Sequence, residues 1–254
     1  MILIPFSSGL DSTTLVFNAL QKKKEIELCY IEILNNTYKV KIEKQQREKI
    51  KSLLQKHFNN YWIKDNTGFQ LGVGRNGMVT MPQIPVWICG LIYYVDESVK
   101  EIQMGYCMND DAISFIDDIK KTWKSYSPYL YKKQPKITFP LIKNKKSDSY
   151  RILPNEIFQE TYFCESPINV EIKEGDDYTW DDCGHCAACE RAKYDGTFYQ
   201  YVRNQKKQEG GPTFLEKSLE DIKAPEPFVS SSEPDSDSEA IEANDYEVPK
   251  IEEK

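Results

Sequence analysis

The first twenty residues of the chain combine an apolar segment, a turn of small polar residues and an apolar helical pattern. Met1–Phe6 is apolar enough for a short buried strand, and Ser7–Thr14 follows it without an intervening linker. The apolar side chains between Leu15 and Leu20 then recur at helical spacing. This order predicts a strand, a tight turn and a helix.

The same alternation continues downstream and predicts an α/β fold with a mostly parallel sheet covered on both faces. The predicted elements after the first helix are a second strand at Glu25–Leu34, a polar helix at Lys39–His57, a buried helix at Val86–Val95, a third strand at Glu101–Tyr106 and a helix at Asp110–Trp123. Ligands of such sheets bind beyond the carboxyl ends of the strands. The turn after the first strand therefore lies where a ligand is expected.

The chemistry of this turn suits an anion such as phosphate. Small residues let backbone N–H groups turn inward, and the following helix presents its positive end. The hydroxyls of Ser7, Ser8 and Ser12 add further donors. The local pattern also allows a simpler interpretation, in which Asp11 or Ser12 is only the N-cap of the helix. No Gly-Lys-Ser/Thr follows, so the turn is not a Walker A loop.

The second strong pattern is a cluster of cysteines. Cys183, Cys186 and Cys189 follow C-x-x-C-x-x-C spacing, and Cys164 lies upstream. Four soft ligands predict a tetrahedral zinc site. Free or redox-active thiols and an iron–sulfur cluster are the alternatives, although the spacing matches neither a ferredoxin pattern nor that of radical enzymes. His185 lies between two of the cysteines and is expected to face solvent.

The cysteine count and the N-terminus indicate a reducing compartment. Seven cysteines is an odd number, and Cys29, Cys89 and Cys107 fall in apolar stretches that predict core positions. The N-terminus lacks a basic region and reaches Ser7 too soon for a signal peptide. No apolar run approaches the ~20 residues that span a bilayer. We therefore expect a cytoplasmic protein without a membrane partner.

The acidity of the chain is confined to its C-terminal end. The formal net charge is -7, and residues 224–254 carry ten Asp and Glu against two Lys. The preceding residues are thus close to neutral, and no direct nucleic-acid binding is expected. Residues 206–254 are predicted to be a linker and a disordered acidic tail, which is a possible contact for a protein partner.

Two motifs together resemble a known family. Ser-x-Gly-x-Asp-Ser at Ser7–Ser12 resembles the PP-loop of ATP-pyrophosphatases, Ser-Gly-Gly-x-Asp-Ser, with Ser8 where that family has Gly. Thr161–Cys164 followed by Cys183–Cys189 is similar to the zinc motif of the 7-cyano-7-deazaguanine synthase (QueC) family. Lys146, which follows a Pro-Leu segment, resembles a lysine of that family that approaches the ATP phosphates; a solvated charge is the alternative.

The resemblance implies three regions, two cofactors and a set of site residues. It implies a PP-loop domain of the adenine nucleotide alpha hydrolase-like fold at residues 1–160, a zinc-binding subdomain at residues 161–205 and the tail from residue 206. ATP with Mg²⁺, structural Zn²⁺ and a homodimer are expected. The implied catalytic residues are Asp11, Ser12 and Lys146. The implied nucleotide-binding residues are Ser7, Ser8, Gly9, Leu10, Asp11, Ser12 and Thr13. The implied metal ligands are Cys164, Cys183, Cys186 and Cys189.

The activity implied by the family is the ATP-dependent conversion of 7-carboxy-7-deazaguanine and ammonia to 7-cyano-7-deazaguanine (preQ0). Two segments that shape the base pocket in the family, here Met81–Pro85 and Gly105–Asp111, depart from its pattern. Two alternatives therefore stay open. One is a QueC-like enzyme of an anti-phage defence system that joins a deazaguanine acid to a protein amine. The other is a zinc-stabilised ATP-binding module without turnover.

Overall fold

The computed structural model describes residues 1–59, 61, 63–72, 83–108, 110–130, 133–173 and 177–195. The expected acidic tail lies outside these ranges, as do Met81 and Pro82 of the first divergent pocket segment.

Five parallel strands form the central sheet, as the sequence predicts for an α/β fold. They are β1 (Ile2–Pro5), β2 (Ile26–Ile33), β3 (Lys64–Leu71), β4 (Glu101–Gln103) and β5 (Lys136–Thr138), in the order β3-β2-β1-β4-β5. From β1 the chain builds outward first through β2 and β3, and then on the other side through β4 and β5. The reversal between β1 and β4 opens a crevice at their carboxyl ends, where ligands bind in such sheets.

Helices cover the sheet, and a small hairpin follows it. The helices are α1 (Leu10–Gln21), α2 (Thr37–His57), α3 (Gln83–Tyr94), α4 (Ile116–Ser125), α5 (Lys146–Ile152), α6 (Asn155–Phe158) and α7 (Ala187–Asp195), with 3₁₀ helices at Asp111–Phe115 and Ser127–Tyr129. The antiparallel hairpin consists of β6 (Ile168–Lys173) and β7 (Asp177–Asp181). No helix within the described ranges is both long and apolar enough to cross a bilayer.

One hydrophobic core of the described residues lies between the sheet and α3 and α4. Leu3 of β1 and Ile102 of β4 are fully buried there against Leu91 of α3. The second strand is buried along nearly its whole length, because helices cover both of its faces. This explains why its sequence is an almost continuous apolar run rather than an alternating pattern.

The sequence analysis missed β3 and β5. The sequence of β3, Lys-Asp-Asn-Thr-Gly-Phe-Gln-Leu, is mostly polar because the strand lies at the sheet edge and much of it is exposed. The other edge strand, β5, has only three residues. Strands this short or this polar leave no hydrophobic period to detect. The predicted third strand also ends early, at Gln103, because the chain turns into the crevice.

The helix predicted to be buried, α3, is exposed on one side. Ile88 packs into the core, whereas Tyr93 is 65% exposed and Cys89 is also exposed. The prediction that Cys89 lies in the core is therefore wrong, because only one face of this apolar helix contacts the sheet. Cys29 and Cys107 are buried, as predicted.

Replacing Gly90 with Ala is expected to destabilise the protein by about 1–3 kcal/mol, the usual cost of inserting a methyl group into a filled core. A Cβ at Gly90 would lie 2.6 Å from Ile31 Cγ1, so the buried Ile31 side chain or α3 must move. The free energy of unfolding in urea measures the effect. Gly72→Ala is the control, because a Cβ there meets no atom of the described residues within 4 Å. Equal stability of the two variants would contradict this account of α3 packing.

Candidate active site

A cavity of about 380 Å³ opens at the carboxyl ends of β1, β2 and β4. The end of β1, the first turn of α1 and the segment that follows β4 form its floor. Of the residues predicted to bind nucleotide, five line this cavity: Ser7, Gly9, Leu10, Asp11 and Ser12. Ser8 and Thr13 are fully buried and are not among the described lining residues, so their nucleotide-binding role stays a prediction.

Ser8 adopts a backbone conformation that favours glycine. Its φ is 64°, in the left-handed region, which costs about 1–2 kcal/mol for a residue with a side chain. Its hydroxyl donates to the Ser7 carbonyl, and its own carbonyl accepts a 3.0 Å hydrogen bond from the Tyr162 N–H. The turn is therefore the same kind of turn that glycine favours, even though this chain has Ser at the position.

The N-cap of α1 is Gly9 rather than Asp11 or Ser12, so the simpler interpretation of the turn is wrong. The Gly9 carbonyl accepts hydrogen bonds from Thr13 N–H at 2.9 Å, Thr13 Oγ1 at 2.8 Å and Ser12 Oγ at 3.1 Å. No side chain among the described residues caps this helix start. The first-turn N–H groups and the positive end of the helix consequently face the cavity region, where an anion would be stabilised.

Lys146 lies inside the cavity, together with two carboxylates. Its Nζ is 2.5 Å from Asp11 Oδ2 and 3.2 Å from Asp110 Oδ1, and the side chain is 20% exposed. Lys143 and Lys145, by contrast, are exposed. The alternative that Lys146 is one more solvated charge does not match this position.

Burial is the largest cause of the pKa shifts of two groups beside Lys146, the Asp110 carboxyl and the Cys107 thiol. Burial and the neighbouring Asp11 carboxylate raise the pKa of the Asp110 carboxyl, although the Lys146 ammonium opposes the shift. Burial likewise raises the pKa of the Cys107 thiol, whose Sγ is 3.2 Å from Asp11 Oδ1. The thiol is therefore protonated at neutral pH and donates to Asp11. Asp11 and Asp110 are the oxygen ligands in this cluster that suit a divalent cation.

The segment after β4 approaches α1 closely at Gly105. A Cβ at this position would lie 2.9 Å from Ser12 N and 3.0 Å from Asp11 C. Only a glycine lets the two backbones come this near. The contact brings Asp110, a few residues farther on, to Lys146.

Aromatic side chains form one wall of the cavity. Tyr106 stacks on Trp87 with 5.6 Å between ring centroids and on Phe139 with 5.9 Å, each at 22°. Trp87 and Tyr106 both line the cavity. This wall suits a flat heterocycle.

Arg47 of α2 holds the end of β1 in place, and the sequence analysis missed it. It is 1% exposed, its guanidinium lies 5.0 Å and 4.6 Å from the ring centroids of Phe6 and Tyr30, and it pairs with Asp65 at 2.5 Å. It also donates to the Phe6 carbonyl, immediately before the loop. An arginine within a predominantly polar helix carries no signal that it is buried.

The four predicted metal ligands converge beside the cavity. Sulfur atoms of Cys164, Cys183, Cys186 and Cys189 all lie within 4.8 Å of one another. Tetrahedral zinc with Zn–S bonds of about 2.3 Å requires about 3.8 Å between sulfurs, and Cys183 Sγ is 3.9 Å from Cys189 Sγ. The donor set and its spacing therefore fit zinc. His185 is exposed, with Nδ1 2.8 Å from the Cys183 carbonyl.

Backbone N–H groups point at these sulfurs. Cys183 N–H donates to Cys164 Sγ at 3.3 Å, Cys186 N–H to Cys183 Sγ at 3.3 Å and Cys189 N–H to Cys186 Sγ at 3.4 Å. Burial raises the pKa of the Cys183 thiol, but hydrogen bonds from the backbone of His185 and Cys186 outweigh it and lower the value to about 6. A thiolate ready to bind metal is thus favoured at this position.

Comparison with known proteins identifies no family. No protein-family model matches the chain, and no curated protein matches its sequence. The chain is similar to the solved structure of NMN synthetase from Francisella tularensis, with 13% identity over 90% of this chain and 89% of that one, and a TM-score of 0.34. So weak a likeness adds nothing to the account of the site, which depends on the geometry of this chain alone.

Proposed function

We propose that the chain is an ATP-dependent carbon–nitrogen ligase of PP-loop type, which activates a carboxylate as its adenylate. One observation carries the proposal. The start of α1, which no described side chain caps, follows the Ser-Ser-Gly turn and faces the switch-point cavity next to Lys146, Asp11 and Asp110. A helix N-terminus and a lysine at this point of a parallel sheet suit a polyphosphate.

Each group has a role in holding ATP. The first-turn N–H groups of α1 and the Ser7 hydroxyl would bind phosphate oxygens, and Lys146 would exchange its carboxylate partners for the phosphates. Asp11 and Asp110 would hold Mg²⁺, which supplies neutralising charge when it is bound. Asp11 and Lys146 are in position before ATP arrives, because they lie on α1 and α5, which are regular elements of the fold.

In the proposed reaction, the carboxylate of the substrate lies against the α-phosphate of ATP. A carboxylate oxygen attacks the α-phosphorus of ATP, the bond to the bridging oxygen breaks, and pyrophosphate leaves. Ammonia then attacks the acyl carbon and displaces AMP to form an amide. For a nitrile product, the amide oxygen attacks the α-phosphorus of a second ATP, pyrophosphate leaves and one N–H proton is lost. Loss of AMP and of the remaining N–H proton then forms the nitrile.

The acid that we propose is 7-carboxy-7-deazaguanine, with 7-cyano-7-deazaguanine as the product. The resemblance of the loop and the cysteine motif to QueC supports this substrate. The Trp87–Tyr106 wall supports a planar base of this kind. Zn²⁺ on the four cysteines would be structural, because four thiolates leave no open coordination position.

Release of pyrophosphate tests the proposal most directly. Full-length protein is incubated with ATP and Mg²⁺, with and without 7-carboxy-7-deazaguanine and ammonium, and the products are read by mass spectrometry. We expect acid-dependent pyrophosphate and the mass of the nitrile. Pyrophosphate without amide or nitrile would instead favour a protein amine as the acceptor. ATP binding without pyrophosphate under any condition would favour the binding module.

Replacing Gly105 with Ala is expected to weaken ATP binding about tenfold or more and to cost about 1–3 kcal/mol of stability. The added Cβ would push the segment after β4 away from Ser12 N and would separate Asp110 from Lys146. Isothermal titration with ATP and Mg²⁺ measures the affinity, and Gly72→Ala is the matched glycine control. An affinity equal to that of the unaltered protein would contradict the proposed position of the phosphates.

A further inference from the structure

We infer that Arg191, assisted by Tyr162 and Glu165, couples the four-cysteine metal site to the ATP cavity, so that metal occupancy sets the affinity for ATP. Each of these positioning residues lies within two residues of a cysteine ligand, and each contacts a different part of the cavity wall. The inference rests on the proposed function, since it takes ATP as the ligand of the cavity.

The first connection is made by the backbone of Tyr162. Its N–H donates to the Ser8 carbonyl at 3.0 Å, and Cys164 follows two residues later. The Tyr162 ring is buried and packs edge-on against Trp180 of the hairpin, 5.5 Å between centroids. Movement of Cys164 is therefore transmitted through two peptide units and the Tyr162 hydrogen bond to Ser8, the residue of the Ser7–Ser12 turn with a left-handed backbone conformation.

The second connection is made by Glu165, which directly follows Cys164. Its carboxylate is 2.5 Å from Lys39 Nζ, and its carbonyl accepts from Asn36 Nδ2 at 3.3 Å. Lys39 in turn lies 3.8 Å from Glu43, and all three charged side chains line the cavity. This contact ties the cysteine segment to the start of α2.

The third connection is made by α7, which begins between two of the cysteines. Arg191 follows Cys189 by two residues and forms an ion pair with Asp111. Ala188 and Ala192 line the cavity on the same helix. Asp111 directly follows Asp110, the residue that pairs with Lys146. The helix that the metal site anchors thus forms part of the cavity wall.

These three contacts predict a reciprocal linkage. A metal held by Cys164, Cys183, Cys186 and Cys189 fixes α7 and the segment 162–165 relative to each other, and through them Ser8, Lys39 and Asp111. If the metal favours the arrangement that binds ATP, then ATP must favour metal binding by the same factor. Couplings of this kind are typically about 5–150-fold.

The test measures zinc affinity by competition with a chromophoric chelator, using the zinc-loaded, full-length protein with and without ATP and Mg²⁺ and without any acid substrate. We expect saturating ATP to tighten zinc binding at least about fivefold. Arg191→Ala should reduce this factor to less than about twofold with one zinc still bound per chain, and Arg191→Lys should restore part of it. The competition converts part of the protein to the metal-free form, so the difference between Arg191→Ala and the unaltered protein, rather than the absolute zinc affinity, is the readout.

Asp177→Asn is the matched control. Asp177 of β7 pairs with Lys49 at 3.3 Å, which also joins the hairpin to α2 but lies away from the cavity. The control should keep the full coupling. Zinc affinity that ATP leaves unchanged, in a protein that binds ATP, would overturn the coupling alone. Absence of ATP binding to the zinc-loaded protein would overturn the proposed function as well. If Asp177→Asn and Arg191→Ala reduced the effect of ATP on zinc affinity equally, the role of Arg191 would be overturned.

Discussion

Replacing Lys146 with Ala is expected to slow ATP-dependent pyrophosphate release by about 10²–10³-fold, the usual effect of removing a preorganised group that stabilises transition-state charge. The ammonium lies in the cavity, 2.5 Å from Asp11 and 3.2 Å from Asp110. Its removal would leave the two neighbouring carboxylates without the ammonium group that meets the charge developing on the phosphates. Initial rates of pyrophosphate release at saturating ATP measure the effect.

Lys143→Ala is the control for this experiment. Lys143 is exposed and three residues away, so its removal changes the net charge by the same amount outside the cavity. We expect the rate of the control to stay within about twofold of the unaltered protein, because exposed charges interact weakly through water. Similar rates in the two variants would remove Lys146 from the catalytic machinery.

Replacing Cys186 with Ala is expected to abolish stoichiometric zinc binding and to lower the melting temperature on the order of 10 °C. In small metal sites the binding free energy of the metal is folding free energy. A loss of about 3–5 kcal/mol corresponds to such a shift at about 2–4 °C per kcal/mol. Zinc content by elemental analysis and thermal unfolding measure the two effects.

Cys89→Ala provides the matched control, because Cys89 is exposed on α3 and lies outside the cysteine cluster. It should retain zinc and melt within a few degrees of the unaltered protein. An unchanged melting temperature and full zinc content in Cys186→Ala would rule out a structural metal on these cysteines. A chelator that lowers the melting temperature of Cys89→Ala but not of Cys186→Ala would strengthen the assignment.

The parts of the site that follow from local sequence were predictable. The strand–turn–helix at the N-terminus is encoded in some twenty consecutive residues, and the turn requires small residues whatever surrounds it. The spacing of Cys183, Cys186 and Cys189 likewise contains most of the geometry of a metal site. In both cases the residues that act together are neighbours along the chain, so their spacing alone carries the information.

Residues that act together from distant parts of the chain were not predictable as a group. Lys146 and Asp11 are 135 residues apart, and the ion pair exists because α5, which begins at Lys146, packs against α1. Gly105 and Asp110 approach Ser12 and Lys146 because β4 pairs with β1, and the segment after β4 then lies against the start of α1. Arg47 likewise contacts Phe6 and Asp65, which are 41 and 18 residues away in the chain.

The sequence by itself predicted a parallel α/β fold, the position of the Ser7–Ser12 turn after the first strand, and which four of the seven cysteines lie together. The tertiary structure alone decided that Gly9 rather than Asp11 or Ser12 caps α1, that Lys146 lies in the cavity, and that α7 joins the cysteine cluster to the cavity wall. The physical reason is that periodicity and spacing report which face of an element is buried. The order of the strands, which decides which faces meet, depends on packing between elements that are far apart in the chain.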